Sequence, residues 1–371
     1  MWRLVGVSFS RDEVEKMPTL LDVAKVAGVG VMSVSRVVNG TRKVSKKTEE
    51  KVRSAIARIG YEPNEAARIL KGQRARVLGL IVPELADPFF ATCANAIQEA
   101  AREGGYMTLM VASGHRASVE RQQAELMMQR QIAGLIIIPS GLENDYLLKA
   151  KGNGLPIVSL DRPLDNVDTD AVLVDNRDAS IKAVEHILNH GHRQVLCIID
   201  EYRIFTKQER LAGYIQAMRN AKLTTMVCTV GPTSGSVAAQ LSPLLASESK
   251  PTAIFVASDL LTIETLQYLQ QANVRIPNDI ALVCFDDFDA ATLVTPQITA
   301  IRQPVAELGR KAVSLLLERL SGVDTKSWER VVLSTELIIR GSCGCGNANS
   351  TIKPDTTATG RRSSRGKAMR R

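Results

Sequence analysis

Residues 19–39 read TLLDVAKVAGVGVMSVSRVVN, and this stretch decides the fold of the N-terminal part of the chain. Thr19 is typical of a helix N-cap, and Asp22 follows at the spacing of a capping box. Gly28 ends the first apolar-periodic segment because glycine accepts left-handed backbone. A second short helix is predicted from about Val31 to Val38. Two short helices joined by a tight glycine turn predict a helix-turn-helix, and a generic helical hairpin is the alternative.

A third helix is predicted directly after this pair. Ser45 can cap it, and its apolar side chains form one stripe at Val52, Ala55, Ile56 and Ile59. Lysines and arginines occupy its other faces. A helical hairpin alone does not explain why the same segment carries so basic a surface.

The charge of the chain differs between its ends and its middle. Residues 1–76 contain 16 Lys and Arg against 8 Asp and Glu, a balance of +8. Residues 77–346 contain 24 against 30, a balance of −6, and residues 347–371 contain 7 against 1. A basic head on an acidic body predicts one module for a polyanion and one for another ligand. A solvated charged surface is the alternative, but it does not explain the coincidence with a helix-turn-helix.

From residue 77 onward, short apolar runs alternate with helical segments. The predicted strands are 77–82, 106–111, 134–139, 156–160, 171–175, 194–200, 252–257 and 280–285. The helices between them include 90–103, 118–131, 178–190, 209–221 and 258–271. Buried strands separated by helices predict an α/β protein with parallel sheets covered on both faces. The strands fall into two sets, which predicts two Rossmann-like subdomains.

Open sheets of this class bind ligands at the carboxyl ends of their strands. This rule selects residues directly after predicted strands: Asp87, Phe89, Phe90, Asp161, Arg162, Ser258, Asp259, Asp286 and Asp287. Carboxylates, a guanidinium group and an aromatic ring together suit a sugar or another small polyhydroxylated metabolite. For each residue taken alone, a helix-cap or turn role is the alternative.

Several blocks of the sequence resemble, in the right order, the LacI family of bacterial transcription regulators. They are TLLDVAKVAGVGVMSVSRVVNG, VSKKTEEKV, GYEPNEAARILKG and VLGLIVPELADPFF, and the similarity continues to about residue 340. The resemblance implies a three-helix helix-turn-helix head and a hinge helix, followed by two Rossmann-like subdomains of the periplasmic-binding-protein type. Met17 resembles the usual start of such a repressor.

The resemblance also implies a domain organisation. We expect an N-terminal extension at 1–18, a helix-turn-helix domain at 19–63, a hinge helix and linker at 64–76, and an effector-binding core at 77–342. The core divides into an N-subdomain at about 77–174 and 305–333 and a C-subdomain at about 175–304 and 334–342. Residues 343–371 are expected to form a disordered basic tail, because Ser, Thr, Gly and basic residues predominate there.

In the family, the second helix of the head enters the major groove. Arg36 is the leading candidate for a bidentate contact with guanine, and Val31 and Met32 occupy positions where the family varies its base-reading residues. Small polar residues are expected to bind phosphates: Thr19, Ser33, Ser35, Asn39, Ser45 and Thr48. Asn64, Ala67 and Leu70 match the hinge helix, whose leucine opens a step in the minor groove.

Two positions in the core match ligand-binding residues of the family. Arg210 matches the arginine that grips the effector, and Thr206 lies one helical turn before it. Asp286 matches the acid that pairs with ligand hydroxyls or ring nitrogens. The resemblance therefore implies a homodimeric repressor that binds a near-palindromic DNA operator and is controlled allosterically by a sugar-like effector. Whether the ligand acts as an inducer or a corepressor stays open.

Other classes of protein are less well supported. The chain contains no phosphate loop and no nucleophile elbow, and its four histidines show no metal-ligand spacing, so we expect no enzyme, no cofactor and no metal. Cys343 and Cys345 are the only close cysteine pair, and the sequence around them lacks further ligands. Scattered cysteines and the absence of a membrane-spanning run predict a cytoplasmic protein with reduced thiols. A solute receptor without DNA binding and a sugar-processing enzyme on the same fold remain the alternative classes.

Overall fold

The structure is a computed structural model, and it describes residues 18–39, 44–61, 75–141, 144–200, 203–231, 235–322 and 327–345. The chain separates into two compact units, Met1–Ala75 and Arg76–Arg371. Within the described residues, no helix is both long and apolar enough to span a membrane.

The described residues of the first unit form three helices, at Leu20–Ala27 (α1), Val31–Asn39 (α2) and Lys46–Ile59 (α3). The predicted capping box is confirmed: the Asp22 N–H donates to Thr19 Oγ1 at 3.4 Å, and the Thr19 N–H donates to Asp22 Oδ2 at 3.0 Å. Gly28 ends α1 in the left-handed conformation, at φ 62°. The three helices share one small apolar core, made by Val23, Ala24, Ala27, Val34, Val52, Ala55 and Tyr61.

The second unit alternates strands and helices. Its strands are Val77–Val82 (β1), Met107–Ala112 (β2), Gly134–Ile137 (β3), Ile157–Leu160 (β4), Asp170–Val174 (β5), Val195–Ile199 (β6), Met226–Thr229 (β7), Ala253–Val256 (β8), Ala281–Phe285 (β9), Thr299–Arg302 (β10), Arg330–Leu333 (β11) and Glu336–Ile338 (β12). Its α-helices are Pro88–Glu103 (α4), Ala117–Gln129 (α5), Tyr146–Gly152 (α6), Asn176–Asn189 (α7), Phe205–Asn220 (α8), Ser236–Leu245 (α9), Asp259–Gln271 (α10) and Val305–Leu320 (α11).

These strands form two sheets of six. The first has the order β11-β5-β4-β3-β1-β2, and the second has the order β12-β10-β9-β8-β6-β7. Neighbouring strands run parallel except β10 and β12, which pair antiparallel with Ala300 opposite Ile338. Each sheet has a buried apolar cluster on both faces. The predicted α/β class and the two sets of strands are confirmed.

The C-terminal part of the core extends beyond its predicted end. Residues 341–343 form a 3₁₀ helix, and Cys343 is buried in the apolar cluster of the second sheet. Ser342 Oγ donates to the Leu282 carbonyl at 2.6 Å and so attaches this segment to β9. The expectation that the disordered tail begins at residue 343 is therefore wrong for residues 343–345, because burial and hydrogen bonds hold them. The remainder of the predicted tail lies outside the described residues.

A close approach between α7 and α8 positions one wall of the second subdomain. Gly213 on α8 lies so near α7 that an added Cβ would lie 2.7 Å from Ser180 Cβ and would also collide with the Arg177 carbonyl oxygen. Only glycine allows the two helix backbones to pack at this distance. The contact fixes the position of α8 along α7. It thereby holds Arg210, one turn before Gly213 on α8, beside Asn176, the first residue of α7.

We predict that Gly213→Ala lowers the free energy of unfolding by about 1–3 kcal/mol, because the added methyl group has to separate two packed helices. Gly152→Ala is the matched control, since a Cβ there meets nothing within 4 Å. Urea unfolding followed by circular dichroism measures both variants. Equal stability of the two variants would contradict the close-packing argument.

Candidate DNA-binding head and effector site

Helix α2 presents an open face that includes two apolar side chains. Met32 is 69% exposed and Val31 is 39% exposed, whereas Val34 on the opposite face is fully buried. Ser33, Ser35 and Arg36 are half-buried. Among the described residues, no acidic side chain pairs with Arg36. The helix therefore combines a guanidinium group and small polar groups with exposed apolar positions, as a base-reading helix requires.

Three of the six predicted phosphate contacts, Thr19, Ser45 and Thr48, lie at the N-termini of α1 and α3. Thr19 caps α1, and Ser45 caps α3 by accepting the Thr48 N–H at 3.2 Å, with its Oγ 2.8 Å from Thr48 Oγ1. The first turns of helices carry unpaired N–H groups and a partial positive charge, which favour phosphate oxygens.

Part of the predicted DNA-binding set cannot be placed. Asn39 lies in α2, but the structure does not describe its side chain. Asn64, Ala67 and Leu70 lie outside the described residues.

In the second unit, the first sheet contributes an aromatic and acidic group to the site. Asp87 follows β1 and caps α4 by accepting the Phe89 N–H at 2.8 Å. Phe89 and Phe90 stack edge-to-face with their ring centroids 5.3 Å apart, and Phe90 is buried.

Directly after β4, Asp161 and Arg162 form a buried ion pair. Arg162 Nη2 lies 2.8 Å from Asp161 Oδ2, and Arg162 Nη1 also donates to the Pro139 carbonyl at 3.3 Å. Asp161 adopts a positive φ of 67°, a strained conformation for a residue other than glycine. Strain of this kind at a strand end is frequent at ligand sites.

Arg210 on α8 is the centre of a buried polar network on the second sheet. Its Nε donates to Asn176 Oδ1 at 2.9 Å, and its Nη1 donates to the Ala257 carbonyl at 2.8 Å and to Asp286 Oδ2 at 2.9 Å. The guanidinium carbon lies 3.7 Å from the centroid of the Phe285 ring, which gives a cation–π contact. The guanidinium group is therefore held in one orientation without a ligand.

Asp286, at the end of β9, is held on both of its oxygens. Besides the bond from Arg210, its Oδ1 accepts the Gln303 amide at 2.5 Å, and its φ is 72°. Its neighbour Asp287 belongs to a different network, because Arg302 and Arg340 bind it at 2.6 and 2.8 Å. Burial raises the pKa of the Asp287 carboxyl, but the hydrogen bonds from these arginines outweigh it and hold the pKa below its usual value.

Asp259 and Thr206 complete the second-sheet side of the site. Asp259 is buried at the start of α10, where its Oδ1 accepts the Leu260 N–H at 2.8 Å. Ser258 is buried at the N-cap, but its side chain makes no capping hydrogen bond. Thr206 is buried in the first turn of α8, and within the described part of the chain its hydroxyl has no hydrogen-bond partner.

Electrostatic coupling shows that acids from the two sheets face one region. Burial raises the pKa of the Asp87 carboxyl, the Phe89 N–H opposes this, and the carboxylates of Asp286 and Asp161 raise the pKa further. Burial also raises the pKa of Asp259 to about 7, with contributions from Asp286 and Asp87. Asp87 and Asp161 follow strands of the first sheet, whereas Asp259 and Asp286 follow strands of the second.

Sequence reasoning missed Asn176 and Gln303, which orient Arg210 and Asp286. Gln303 follows β10, a strand that the sequence pattern did not predict, and its Oε1 is buried without a partner among the described residues. Asn176 follows β5, so the strand-end rule that selected Asp87 could have found it.

The head and the core both match known protein families. Residues 19–64 match the profile of bacterial regulatory proteins of the lacI family, and residues 184–343 match that of the periplasmic binding protein-like domain. The HTH-type transcriptional repressor PurR of Haemophilus influenzae (strain PittEE) is 32% identical over 334 residues, which cover 88% of this chain and 98% of the relative. The chain belongs to the LacI family of bacterial transcription regulators.

Another curated relative and two solved structures are also similar to this chain. The HTH-type transcriptional repressor CytR of Escherichia coli (strain K12) is 30% identical and covers 88% of this chain and 97% of its own length. The Lac repressor dimer bound to operator and the anti-inducer ONPF superposes with a TM-score of 0.76 at 26% identity, covering 88% of this chain and 99% of that one. A complex of the transcriptional regulator CelR with cellobiose gives 0.65 at 30% identity, with 88% and 99% coverage.

The raised pKa of Asp259 predicts a pH-dependent effect of its removal. In the unfolded chain the carboxyl has its usual pKa of 3.8, whereas in the folded chain burial raises its pKa to about 7. The folded state therefore loses stability as the pH rises between these values, and Asp259→Asn removes this penalty. We expect the stability gained by the variant to grow by up to about 2–3 kcal/mol between pH 5 and pH 7.

Urea unfolding of both chains across this pH range measures the effect. Asp168→Asn is the matched control, since Asp168 is exposed. A gain for Asp259→Asn that does not depend on pH would show that this carboxyl ionises normally in the folded chain.

Proposed function

We propose that the chain represses transcription by binding a near-palindromic operator as a homodimer, under the control of a small polyhydroxylated effector in the core. The observation that carries this proposal is the pairing of two features in one chain. One is a helix with an exposed face that carries Val31 and Met32, and the other is a set of buried and half-buried polar groups at the strand ends of two sheets. In this proposal the chain is a regulator rather than an enzyme, and it works on chromosomal DNA in the cytoplasm.

Helix α2 is proposed to lie in the major groove, with Arg36 as its main base contact. An arginine can donate two hydrogen bonds to the O6 and N7 atoms of guanine, which distinguishes this base from the others. Val31 and Met32 offer no hydrogen bonds, and their exposure suits contact with thymine methyl groups. Ser33, Ser35 and Asn39 are proposed to bind phosphates, as are Thr19, Ser45 and Thr48 at the helix N-termini.

The hinge helix is proposed from the resemblance alone, since its residues lie outside the described part of the chain. Asn64, Ala67 and Leu70 match its positions. Leu70 is proposed to insert into a central step of the minor groove, where unstacking costs a few kcal/mol and the resulting bend brings further contacts.

The effector is proposed to bind at the strand ends of the core. Arg210 is already held by Asn176 and Asp286, so it can donate to a ligand without being reoriented. Asp87 and Asp259 accept one backbone N–H each, and a ligand that donates hydrogen bonds would stabilise their ionised forms. The Phe89–Phe90 pair offers an apolar face. Hydroxyl groups above a flat apolar face are characteristic of sugars.

Edge strands on each sheet support a homodimer. The strand β2 forms one edge of the first sheet, where Met107 is 65% exposed and Met110 is 39% exposed. The strand β7 forms one edge of the second, where Val227 is 42% exposed. Open edges with exposed apolar side chains tend to pair with another chain. A two-fold dimer also matches the symmetry of a near-palindromic operator.

A gel-shift titration tests the function directly. The full chain is titrated against the DNA upstream of its own reading frame, at several salt concentrations and with a panel of sugars and nucleosides. We expect a retarded band that resists competitor DNA, weakens with salt and responds to one ligand of the panel. A solute receptor would bind a ligand without shifting DNA, and an enzyme would convert the ligand.

Arg36→Ala is predicted to weaken specific binding by about 1–3 kcal/mol, which is about a 5- to 150-fold loss, and to relax the preference at one base pair. Arg53→Ala is the charge-matched control, because Arg53 is exposed on α3 and pairs with Glu49. Fluorescence anisotropy with the operator and with scrambled DNA measures both variants. If Arg36→Ala and Arg53→Ala lost affinity equally for the operator and for scrambled DNA, Arg36 would act only as a phosphate contact.

Thr206→Val is predicted to weaken effector binding about 2- to 12-fold while leaving operator affinity unchanged, since it removes a hydroxyl but keeps the volume. Arg210 is less suitable for this test, because removing one partner of a buried ion pair costs about 3–5 kcal/mol of stability.

Calorimetric titration of the effector measures the change for Thr206→Val. Thr225→Val serves as the control, since Thr225 is exposed and lies directly before β7. Unchanged effector affinity for Thr206→Val would remove Thr206 from the site.

A further inference from the structure

The C-terminal end of helix α7 meets the segment that ends the described chain. His186 lies in the last turn of α7, and His190 directly follows the helix at the same face. Cys343 and Cys345 approach from the 3₁₀ helix at 341–343. One ligand atom from each of these four side chains lies within 4.8 Å of every other.

This arrangement contradicts one part of the sequence analysis. The cysteine pair was expected to lack further ligands nearby, but Cys345 Sγ lies 3.0 Å from His190 Nε2 and 3.6 Å from His186 Nε2. His190 and Cys345 are 155 positions apart in the chain, so the spacing of the motif could not reveal the cluster. Only the packing of the last segment against α7 brings the two pairs together.

The size of the cluster is close to that of a metal centre. In a tetrahedral zinc site with bonds of about 2.0–2.3 Å, the ligand atoms lie about 3.3–3.8 Å apart. The two sulfur–nitrogen distances of Cys345 are near this range. The imidazole rings of His186 and His190 have their centroids 4.8 Å apart and are inclined at 74°, and the Nε2 atom of each lies near Cys345 Sγ.

The backbone holds the two thiols in place. Gly344 adopts φ 91°, a conformation that turns the chain between the cysteines and that side chains other than glycine rarely adopt. Ser342 holds the segment before the turn, because its N–H donates to the Gln297 carbonyl at 3.0 Å and its Oγ accepts the Thr299 N–H at 2.8 Å. The pair is therefore positioned by contacts that do not involve a metal.

A hydroxyl group supports the sulfur of Cys343. Thr299 Oγ1 lies 3.2 Å from Cys343 Sγ, at a distance from which it can donate a hydrogen bond to a thiolate. Partners of this kind orient metal ligands and stabilise their charged form. Cys343 itself is only 1% exposed, whereas His190 is exposed, so an ion can enter from the His190 side.

We propose that His186, His190, Cys343 and Cys345 bind one Zn²⁺ ion per chain as a closed, four-coordinate structural site. Two thiolates and two neutral imidazoles form the donor set that zinc prefers in structural sites. Binding releases the two thiol protons to solvent, and the two thiolate charges then balance the charge of the ion. The ion would join the segment at 341–345 to α7, which begins at Asn176, the partner of Arg210.

Two other uses of these residues predict different behaviour. A hydrogen-bonded helix end needs no metal and would leave both thiols free. A disulfide between Cys343 and Cys345 would remove the thiols and prevent metal binding.

The test uses the full chain, purified under reducing conditions without a chelator. Its zinc content is measured by inductively coupled plasma mass spectrometry, and the apo chain is then titrated with Co²⁺. We expect one zinc per chain, and a cobalt spectrum with the visible bands of a tetrahedral site and thiolate charge-transfer absorption. Cys345→Ser and His190→Asn should each lower zinc affinity at least about 10-fold. His190 is exposed, so its substitution leaves the buried part of the fold intact.

Matched controls separate the site from general effects. His192→Asn replaces a nearby histidine whose ring contacts Thr252 instead, and Cys228→Ala replaces a buried thiol in the same subdomain. Both should keep one zinc per chain. A chelator should lower the thermal midpoint of the native chain by more than that of His190→Asn.

Three results would overturn the proposal. One is an apo chain that gives no tetrahedral cobalt spectrum. Another is a zinc affinity that is the same in Cys345→Ser and in His190→Asn as in the native chain. The third is a mass spectrum of the native chain, alkylated without prior reduction, that shows a bond between Cys343 and Cys345.

Discussion

The ion pair between Arg210 and Asp286 is the interaction on which the proposed effector site depends. It joins α8 to the end of β9, and Asn176, Gln303 and the Phe285 ring hold its two partners in fixed orientations. Two charged groups with few water contacts are stable only when such partners satisfy them. The site is therefore preorganised, and little of the binding free energy of a ligand is needed to orient these groups.

Some acidic residues of the proposed site adopt strained backbone conformations, and others have raised pKa values. Asp161 and Asp286 have positive φ angles, and burial raises the pKa of both Asp87 and Asp259. In the free protein, Asp259 is poised to ionise near neutral pH, and a ligand that donates hydrogen bonds would favour its carboxylate form. Backbone strain and shifted carboxyl pKa values are frequent at binding sites, where a ligand can relieve them.

Local sequence patterns were sufficient to predict the helices of the head and most strands of the two sheets. The caps at Thr19 and Ser45 depend on residues three positions away, and the central strands are continuous apolar runs. Strands β7, β10, β11 and β12 were not predicted, because each begins or ends with a Thr, Arg or Glu residue that interrupts a short apolar run.

Some residues of the proposed site could not be found by local sequence patterns. Gln303 follows one of the short strands, and the contact between Asn176 and Arg210 joins residues 34 positions apart. The meeting of two histidines with two cysteines depends on the path of the whole second subdomain. Asp287 was selected by the strand-end rule, but its side chain points to Arg340 rather than to the site, because successive residues at the end of a strand face opposite ways.

The central claim is that one chain couples a DNA site to a metabolite site. Such coupling is a free energy shared by the two ligands, so each must change the affinity of the other by the same factor, typically about 5- to 150-fold. The most direct measurement is a calorimetric titration of the effector into the free homodimer and into the homodimer saturated with operator DNA. The account predicts different effector affinities in the two titrations, with a ratio equal to that measured for operator binding with and without effector. Identical effector affinities in the two titrations would contradict it.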